Sequence, residues 1–459
     1  MSCQNIACFS EIASPAHHIF RADGRPDGKV PEKPDFFRLF QRPPLEKTAV
    51  RCYCNTPLTA IYTKQLNGMS KQMKIAVVLN RFYPEVGGAE TNLFFQVQEL
   101  SKHHQVTVFT PRRLPETAKS ETLKGFSVRR LLDVRNRLPN IGRDTFMPGI
   151  FFRILFGSFD VVMAWPALNH NNMLALAAAK IRRIPFVLCS FDLLDYAEIE
   201  KKTGKIDPHC LEQYRPKWLR RKMFGMCSHI FAISGREIEV FRRYNPHVSF
   251  SPVPVETSEY EQEVDRAAFR KRFGIADDAM VFLVLGRISR IKGQDIAVDA
   301  FIQAAERMPG AVLAVVGRGD YEPEFLDGMK DAIRKAGLEK RVIFTGMVAR
   351  NDVIGFLKSS DVMLAPVRFM NSGAVIVEAW AAGTPVIQSD AVDPDLIDQG
   401  VNGWRFPSER SEELAALLEE SFKRRAELPS MGARGREKVL AGFTYPKLIS
   451  IYEETLAGL

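Results

Sequence analysis

Several residues in this chain have types and spacings suited to an anionic, hydroxyl-rich ligand. Arg287 and Lys292 share the segment Gly286-Arg287-Ile288-Ser289-Arg290-Ile291-Lys292-Gly293. Two cations on one loop can converge on a diphosphate, the guanidinium as a fork of donors and the ammonium as a point charge. A second group is Asn371-Ser372-Gly373-Ala374-Val375, where small residues lead into helical spacing. Such a helix start offers backbone N–H groups and the positive dipole end to a phosphate. Glu378 follows one turn on, on the face of Ala374 and Val375, and can accept hydrogen bonds from sugar hydroxyls. An ordinary helix with an exposed Glu378 fits the same residues. Gly87-Gly88 can admit a phosphate or sugar close to the backbone, or can simply make a tight turn. His170 and Asp192 each follow an apolar strand-like run, as site candidates or as a solvated loop histidine and a turn-capping aspartate.

The elements that must position these residues show as a repeated strand–helix alternation. Lys74–Leu79, Gln105–Thr110, Asp160–Trp165, Pro185–Cys189 and His229–Ser234 are apolar runs of buried-strand composition. The last of these is expected to close the first domain, with Ser234 capping a helix from Arg236. Ser251-Pro252-Val253-Pro254-Val255 is extended and proline-punctuated, the expected interdomain linker. A second alternation follows with strands Met280–Leu285, Ala311–Val316, Val342–Thr345 and Val362–Ala365, then a helix to Ala382 that Gly383 stops before Pro385. Strand–loop–helix–strand units of this kind predict an α/β fold of two Rossmann-like, doubly wound domains facing a cleft. Ligands in such sheets bind beyond the C-terminal strand ends. The expected boundaries are a poorly ordered extension over 1–68, rich in proline, a first domain over 69–254 and a second over 255–440. Met69 or Met73 is the expected start of the folded domain.

Length and composition agree with a globular protein of two or three domains: 459 residues, 46% hydrophobic and 25% charged. The net charge of +9 is uneven. Residues 71–260 hold 28 Lys and Arg against 18 Asp and Glu, whereas residues 261–459 hold 26 against 30. A basic first domain suits an anionic surface or substrate. Within it, Lys217–Phe224 interleaves cations with aromatics, as a contact to an anionic membrane or as a solvated helix face. No nucleic-acid motif accompanies it, so nucleic acid is not an expected partner. No apolar run reaches a membrane span and no signal-peptide pattern opens the chain. A cytoplasmic location follows, with peripheral contact at the inner face of the plasma membrane as its extension. Seven cysteines include Cys3, Cys8, Cys52 and Cys54; a metal site there is the alternative to reduced thiols, which are the default.

From about Met73 to the C-terminus, these pieces together resemble the retaining glycosyltransferases of family 4, which have the GT-B fold. The motifs that carry the resemblance are Pro84-Glu85-Val86-Gly87-Gly88-Ala89-Glu90, Gly286-Arg287 with Lys292-Gly293, Val315-Val316-Gly317-Arg318-Gly319, Val342-Ile343-Phe344-Thr345-Gly346, Glu378-Ala379-Trp380-Ala381-Ala382-Gly383-Thr384-Pro385-Val386-Ile387 and Gly400-Val401-Asn402-Gly403-Trp404. The resemblance implies transfer of a sugar from a nucleotide-diphosphate-sugar donor, bound by the second domain, to a glycan, glycolipid or other cell-envelope acceptor, bound by the first. It implies that Arg287 and Lys292 hold the diphosphate and stabilise its growing charge, so that no metal and no cofactor is needed. Glu378 would accept from the ribose and Val348 would lie near the base. Gly87, Gly88 and the helix start at Ser372, Gly373, Ala374 and Val375 would line the donor. A final segment, 441–459, would cross back to the first domain.

The sequence departs from the family pattern twice. Met370 stands eight positions before Glu378, where a sugar-binding glutamate is common, and Phe191 stands where many members have a histidine. Asn371 and Arg368 are then the candidates to hold the sugar. The alternatives are a catalytically weak or inactive nucleotide-sugar-binding relative, or another nucleotide-sugar enzyme such as an epimerase. A dinucleotide oxidoreductase is disfavoured, because no G-x-G-x-x-G follows the first strand of either domain.

Overall fold

The computed structural model describes residues 72–85, 87–134, 145–166, 169–191, 217–369, 373–393 and 395–459. The expected N-terminal extension and its four cysteines lie outside them. The first sheet holds β1 (Lys74–Val78), β2 (Gln105–Pro111), β3 (Ser120–Leu123), β4 (Phe126–Leu131), β5 (Val161–Ala164), β6 (Phe186–Cys189), β7 (His229–Ala232) and β8 (Val248–Phe250), in the order β3-β4-β2-β1-β5-β6-β7-β8. All neighbours are parallel except the β3–β4 hairpin at the edge. His229–Ala232 is therefore not the last strand of this domain. The three-residue β8, in a His-Val-Ser-Phe context, is too short to show a period and is recruited by its bonds to β7.

The second sheet holds β9 (Val281–Leu285), β10 (Val312–Val316), β11 (Val342–Gly346), β12 (Val362–Ala365), β13 (Val386–Ser389) and β14 (Gly403–Phe406). Its order is β11-β10-β9-β12-β13-β14, parallel throughout. The described helices are α1 (Gly88–Leu100), α2 (Gly149–Leu155), α3 (His170–Arg182), α4 (Lys217–Met226), α5 (Gly235–Arg242), α6 (Arg266–Arg272), α7 (Gln294–Ala304), α8 (Pro323–Lys335), α9 (Arg350–Ser359), α10 (Ala374–Ala381), α11 (Ser411–Lys423), α12 (Leu428–Gly442) and α13 (Tyr445–Leu456).

Both sheets are covered on both faces, which is why their strands read as continuous apolar runs. Along β9, Phe282 and Val284 pack with α7, α8 and α11, while Val281 and Leu283 pack with α9 and α10. In the first sheet Ala76 and Val78 face α2, α3 and α5, and Ile75 and Val77 face α1. Leu448, Ile449, Tyr452 and Leu456 of the last helix, α13, complete that second face, each fully buried side chain contributing roughly 1.5–3 kcal/mol. The Tyr452 hydroxyl lies within hydrogen-bond distance of Gln96 Oε1 (3.1 Å) and Ser251 Oγ (3.3 Å).

The chain crosses between the sheets at residues 251–255 and again at 443–444, and the crossings pair: Val255 N–H donates to Phe443 O (2.9 Å) and Val255 bridges Thr444. The first crossing is buried at every residue from Ser251 to Val255, not a solvated linker. Pro252 and Pro254 carry no N–H, so an extended run can be buried there with fewer donors to satisfy; Asn92 Nδ2 donates to Pro254 O (2.8 Å).

Candidate functional site

Each sheet changes winding direction beside its first strand, between β1 and β5 and between β9 and β12. Such switch points leave a crevice at the C-terminal strand ends. In the second sheet the loops that end there interlock. Gly293 closes the β9 loop in the left-handed conformation, φ +68°, and a Cβ there would overlap the Pro366 carbonyl after β12. Arg368 N–H donates to Ile291 O (2.9 Å). Its guanidinium reaches Arg290 O (2.7 Å) and forks onto Asp295 (2.8 and 2.7 Å). Arg368, a sequence candidate for the sugar, thus ties the two loops together; that ion pair could not be read from local spacing.

The buried Gln294 shapes the β9 loop, its amide donating to Arg287 O (3.0 Å) and its carbonyl accepting from Ser289 N–H (3.2 Å). The Arg287 side chain is exposed and its guanidinium lies 4.1 Å over the Tyr321 ring, a stacking that holds the fork out from the loop. Lys292 is half-buried in the short 3₁₀ turn Arg290–Lys292.

Across the switch point, Gly373 is the N-cap of α10 at φ +67°, with no side-chain cap. Ala374 and Val375 form its half-buried first turn. Leu396 fills the space where a Cβ at Gly373 would sit, so both conformation and packing select glycine. Glu378, 21% exposed, is held: its Oε1 accepts from Arg350 Nη1 at 2.7 Å. Arg350 also donates to Glu259 Oε2 (2.6 and 3.1 Å) and the Tyr260 hydroxyl (2.8 Å). Burial, then Glu378, pushes the Tyr260 phenol well up. Burial lowers the Arg350 guanidinium, but Glu378, Tyr260 and Glu259 outweigh it and raise it. Sequence spacing pointed to Glu378 but to none of these partners, which come from other elements. Val348, half-buried after β11, packs on the core face that α10 covers. Met370, Asn371 and Ser372 lie outside the described residues.

In the first sheet Gly87 caps α1 in an extended conformation, φ −162°, and a Cβ at Gly88 would meet open space. Neither glycine needs the left-handed region. His170 opens α3 beside Phe146, ring centroids 5.9 Å apart. Its neighbours are structural: Asn169 caps the helix by accepting from Asn172 N–H (2.9 Å). The fully buried Asn171 accepts from Met147 N–H (2.7 Å) and donates to Asn80 Oδ1 (2.9 Å), tying the β1 loop to α3. Phe191 packs into the core beneath α1, and Asp192 lies outside the described residues. On α4, Met223 and Phe224 face the core while Arg221 and Lys222 are exposed.

The strand ends of the two sheets meet directly. Gly235 N–H, at the start of α5, donates to Asp393 Oδ2 (2.9 Å), and Arg236 donates to Asp390 O (2.6 Å) and Ala391 O (3.3 Å). The residues after β7 and after β13 thus bond one domain to the other.

A family model described as Glycosyltransferase Family 4 matches residues 86–258, and one described as Glycosyl transferases group 1 matches residues 279–423. The chain belongs to the family 4 glycosyltransferases. This transferase is 25% identical over 402 residues to the GDP-mannose-dependent alpha-(1-6)-phosphatidylinositol monomannoside mannosyltransferase of Mycobacterium tuberculosis, covering 84% of this chain and 98% of the relative. It is 33% identical over 129 residues, 27% of this chain and 28% of the relative, to the mannosylfructose-phosphate synthase of Agrobacterium fabrum. The HepE structure from Anabaena in complex with UDP superposes with a TM-score of 0.66 at 20% identity, over 84% of this chain and 100% of that one. The transferase accordingly has the GT-B fold and uses a nucleotide-sugar donor.

Proposed function

We propose that this protein is a retaining, metal-independent hexosyltransferase that moves a sugar from a nucleoside-diphosphate sugar to a glycolipid or other envelope glycan. The observation that carries the donor half is the interlock of the Arg287–Lys292 loop, at Gly293, with Pro366 after β12, in a second sheet whose next helix, α10, has an uncapped start at Gly373. Two cations and a helix N-terminus on one crevice suit a diphosphate that gains charge as the glycosidic bond breaks. In this proposal Arg287 and Lys292 hold the leaving diphosphate, and Asn371, Ser372, Gly373, Ala374 and Val375 line phosphate and sugar. Glu378 accepts from the ribose, Val348 flanks the base, and Gly87 and Gly88 let the donor approach from the first domain. His170 and Asp192 are the candidates to contact the acceptor or the transferred sugar. Configuration is retained if the acceptor hydroxyl enters on the face the diphosphate leaves, its proton passing to the departing oxygen.

GDP-mannose is the first donor to test, because the relative matched over most of both chains is named for it. That name also supports a lipid-linked acceptor, as does the basic first domain. Arg221 and Lys222 on α4 and the exposed Phe152 and Phe156 suit peripheral contact with an anionic membrane. The test is a panel of GDP-, UDP- and ADP-sugars with EDTA present, read by release of nucleoside diphosphate, by binding and by the anomeric proton of any product. Turnover of one donor with retained configuration is expected. Tight binding without turnover for every donor and acceptor favours the inactive, nucleotide-sugar-binding alternative, for which Met370 and the core-packed Phe191 are the motive.

A further inference from the structure

Arg350 is an unusual first residue for a helix. It opens α9, whose N-cap Ala349 provides no side-chain bond, and a cation at a helix N-terminus faces the positive end of the dipole. Helix stability therefore does not account for it. Its guanidinium instead spans three groups from two other parts of the chain: Glu378 on α10, and Glu259 and Tyr260 in the 3₁₀ turn Thr257–Tyr260. Tyr260 is fully buried, so that end of the fork is anchored. The turn begins two residues after Val255, where the two interdomain crossings pair. Tyr445, just after the second crossing, is buried close enough to have its hydroxyl pushed up by Glu256, Glu259 and Glu378 in addition to burial.

We propose that Arg350 is a positioning residue for the nucleotide: by holding Oε1 of Glu378 it aims Oε2 at the ribose, and through Glu259 and Tyr260 it anchors that carboxylate to the interdomain crossing. The inference rests on Glu378 being the ribose acceptor. Among the described residues Oε2 of Glu378 takes no hydrogen bond from the protein. A glutamate on a short helix loses rotamer freedom when it orders; a planar fork already fixed on Glu259 and Tyr260 removes that cost before the ligand arrives. The cation between Glu378 and Glu259 also offsets their mutual repulsion, so the Glu378 side chain can stay on this side of its helix and face hydroxyl donors.

The test compares binding of GDP and 2′,3′-dideoxy-GDP, and of UDP and its dideoxy analogue, by calorimetry; the base that binds tighter is used. A hydrogen bond to a charged group supports a preference of about tenfold or more for the ribose form. Glu378→Gln should collapse that preference. Arg350→Met should collapse it as well, leaving the dideoxy affinity unchanged, and Arg350→Lys, which keeps the charge and loses the fork, should give an intermediate ratio. If Arg350→Met weakens both nucleotides equally, or preserves the wild-type ratio while Glu378→Gln collapses it, Arg350 does not position the carboxylate and the inference is overturned with the ribose role of Glu378 intact. If Glu378→Gln keeps the wild-type ratio, the ribose role itself fails and the inference goes with it. Thermal melting of each variant establishes folding, and Arg350→Lys carries the test if Arg350→Met does not fold.

Discussion

Replacing Gly293 by alanine probes the joint between the two loops of the proposed donor crevice, and the structure supplies its own control. Gly293 and Gly274 have nearly the same φ, +68° and +70°. A Cβ at Gly274 meets nothing within 4 Å, whereas at Gly293 it overlaps the carbonyl of Pro366. The left-handed conformation costs an L-residue about 1–2 kcal/mol at either site. At Gly293 the overlapped atom is backbone and cannot rotate away, and overpacking of this kind adds roughly 1–3 kcal/mol. Gly274→Ala should therefore cost about 1 kcal/mol and Gly293→Ala about 3 kcal/mol. The excess of about 2 kcal/mol corresponds to roughly 4–8 °C in the melting midpoint of a domain of about 200 residues. Because the strain is relieved by parting the Lys292 loop from the α10 loop, binding of nucleoside diphosphate at 20 °C should also weaken in Gly293→Ala and not in Gly274→Ala. Thermal melts and calorimetric titrations of the two variants decide it. Equal midpoints and equal affinities would refute the claim that this contact holds the crevice together.

Lys292→Ala should abolish transfer while leaving the melting midpoint near wild type, and wild-type turnover would end its assignment to the diphosphate. Arg270, fully buried, donates to Ser359 O, Asp277 O, Ala279 O and Asp361 Oδ2. Arg270→Met should cost about 2–3 kcal/mol by stranding the Ser359 and Asp277 carbonyls, while Asp361 keeps Arg266 and the Val281 N–H and Ala279 O keeps Arg425, and a denaturant midpoint within error of wild type would contradict it. His229 on β7 is pushed down to about 4, by burial first and His247 second, from 6.5 in the unfolded chain. The unfolded chain thus binds this proton more readily, so stability is full above about 6.5 and falls as pH drops towards 4, by roughly 1–2 kcal/mol once solvent screening of this half-buried ring is allowed for. Urea melts at pH 7 and pH 4.5 should show that loss in wild type and a smaller one in His229→Gln; identical losses would remove His229 as a cause.

What could be read along the chain was whatever depends on near neighbours. The apolar runs at β1, β9 and β12, the Ser234 cap of α5 (accepting from Glu237 N–H at 3.2 Å) and the Gly383 stop after α10 are set by residues within one turn or one strand. So are the two doubly wound domains, because parallel strands buried on both faces leave a pattern that survives without partners. The edge hairpin β3–β4 escaped because its turn, Lys124-Gly125, relies on a lysine at φ +44°. Helix α12 escaped because its role lies in packing: Gly435 makes room for the Trp380 ring and Gly432 for the Gly383 carbonyl, and glycines in a helix argue against one until the neighbour is seen.

The candidate site divides in the same way. Arg287, Lys292, Gly373 and Glu378 announce themselves because their chemistry belongs to single loops and one helix start. Tertiary structure alone decided that Arg368 turns to Asp295, that Glu378 is held by Arg350 from 28 positions away, and that the proline-rich crossing is buried against α1 and paired with Phe443. Ion pairs and buried backbone bonds between distant segments have no period and no spacing. They exist only once the apolar strands have brought those segments together.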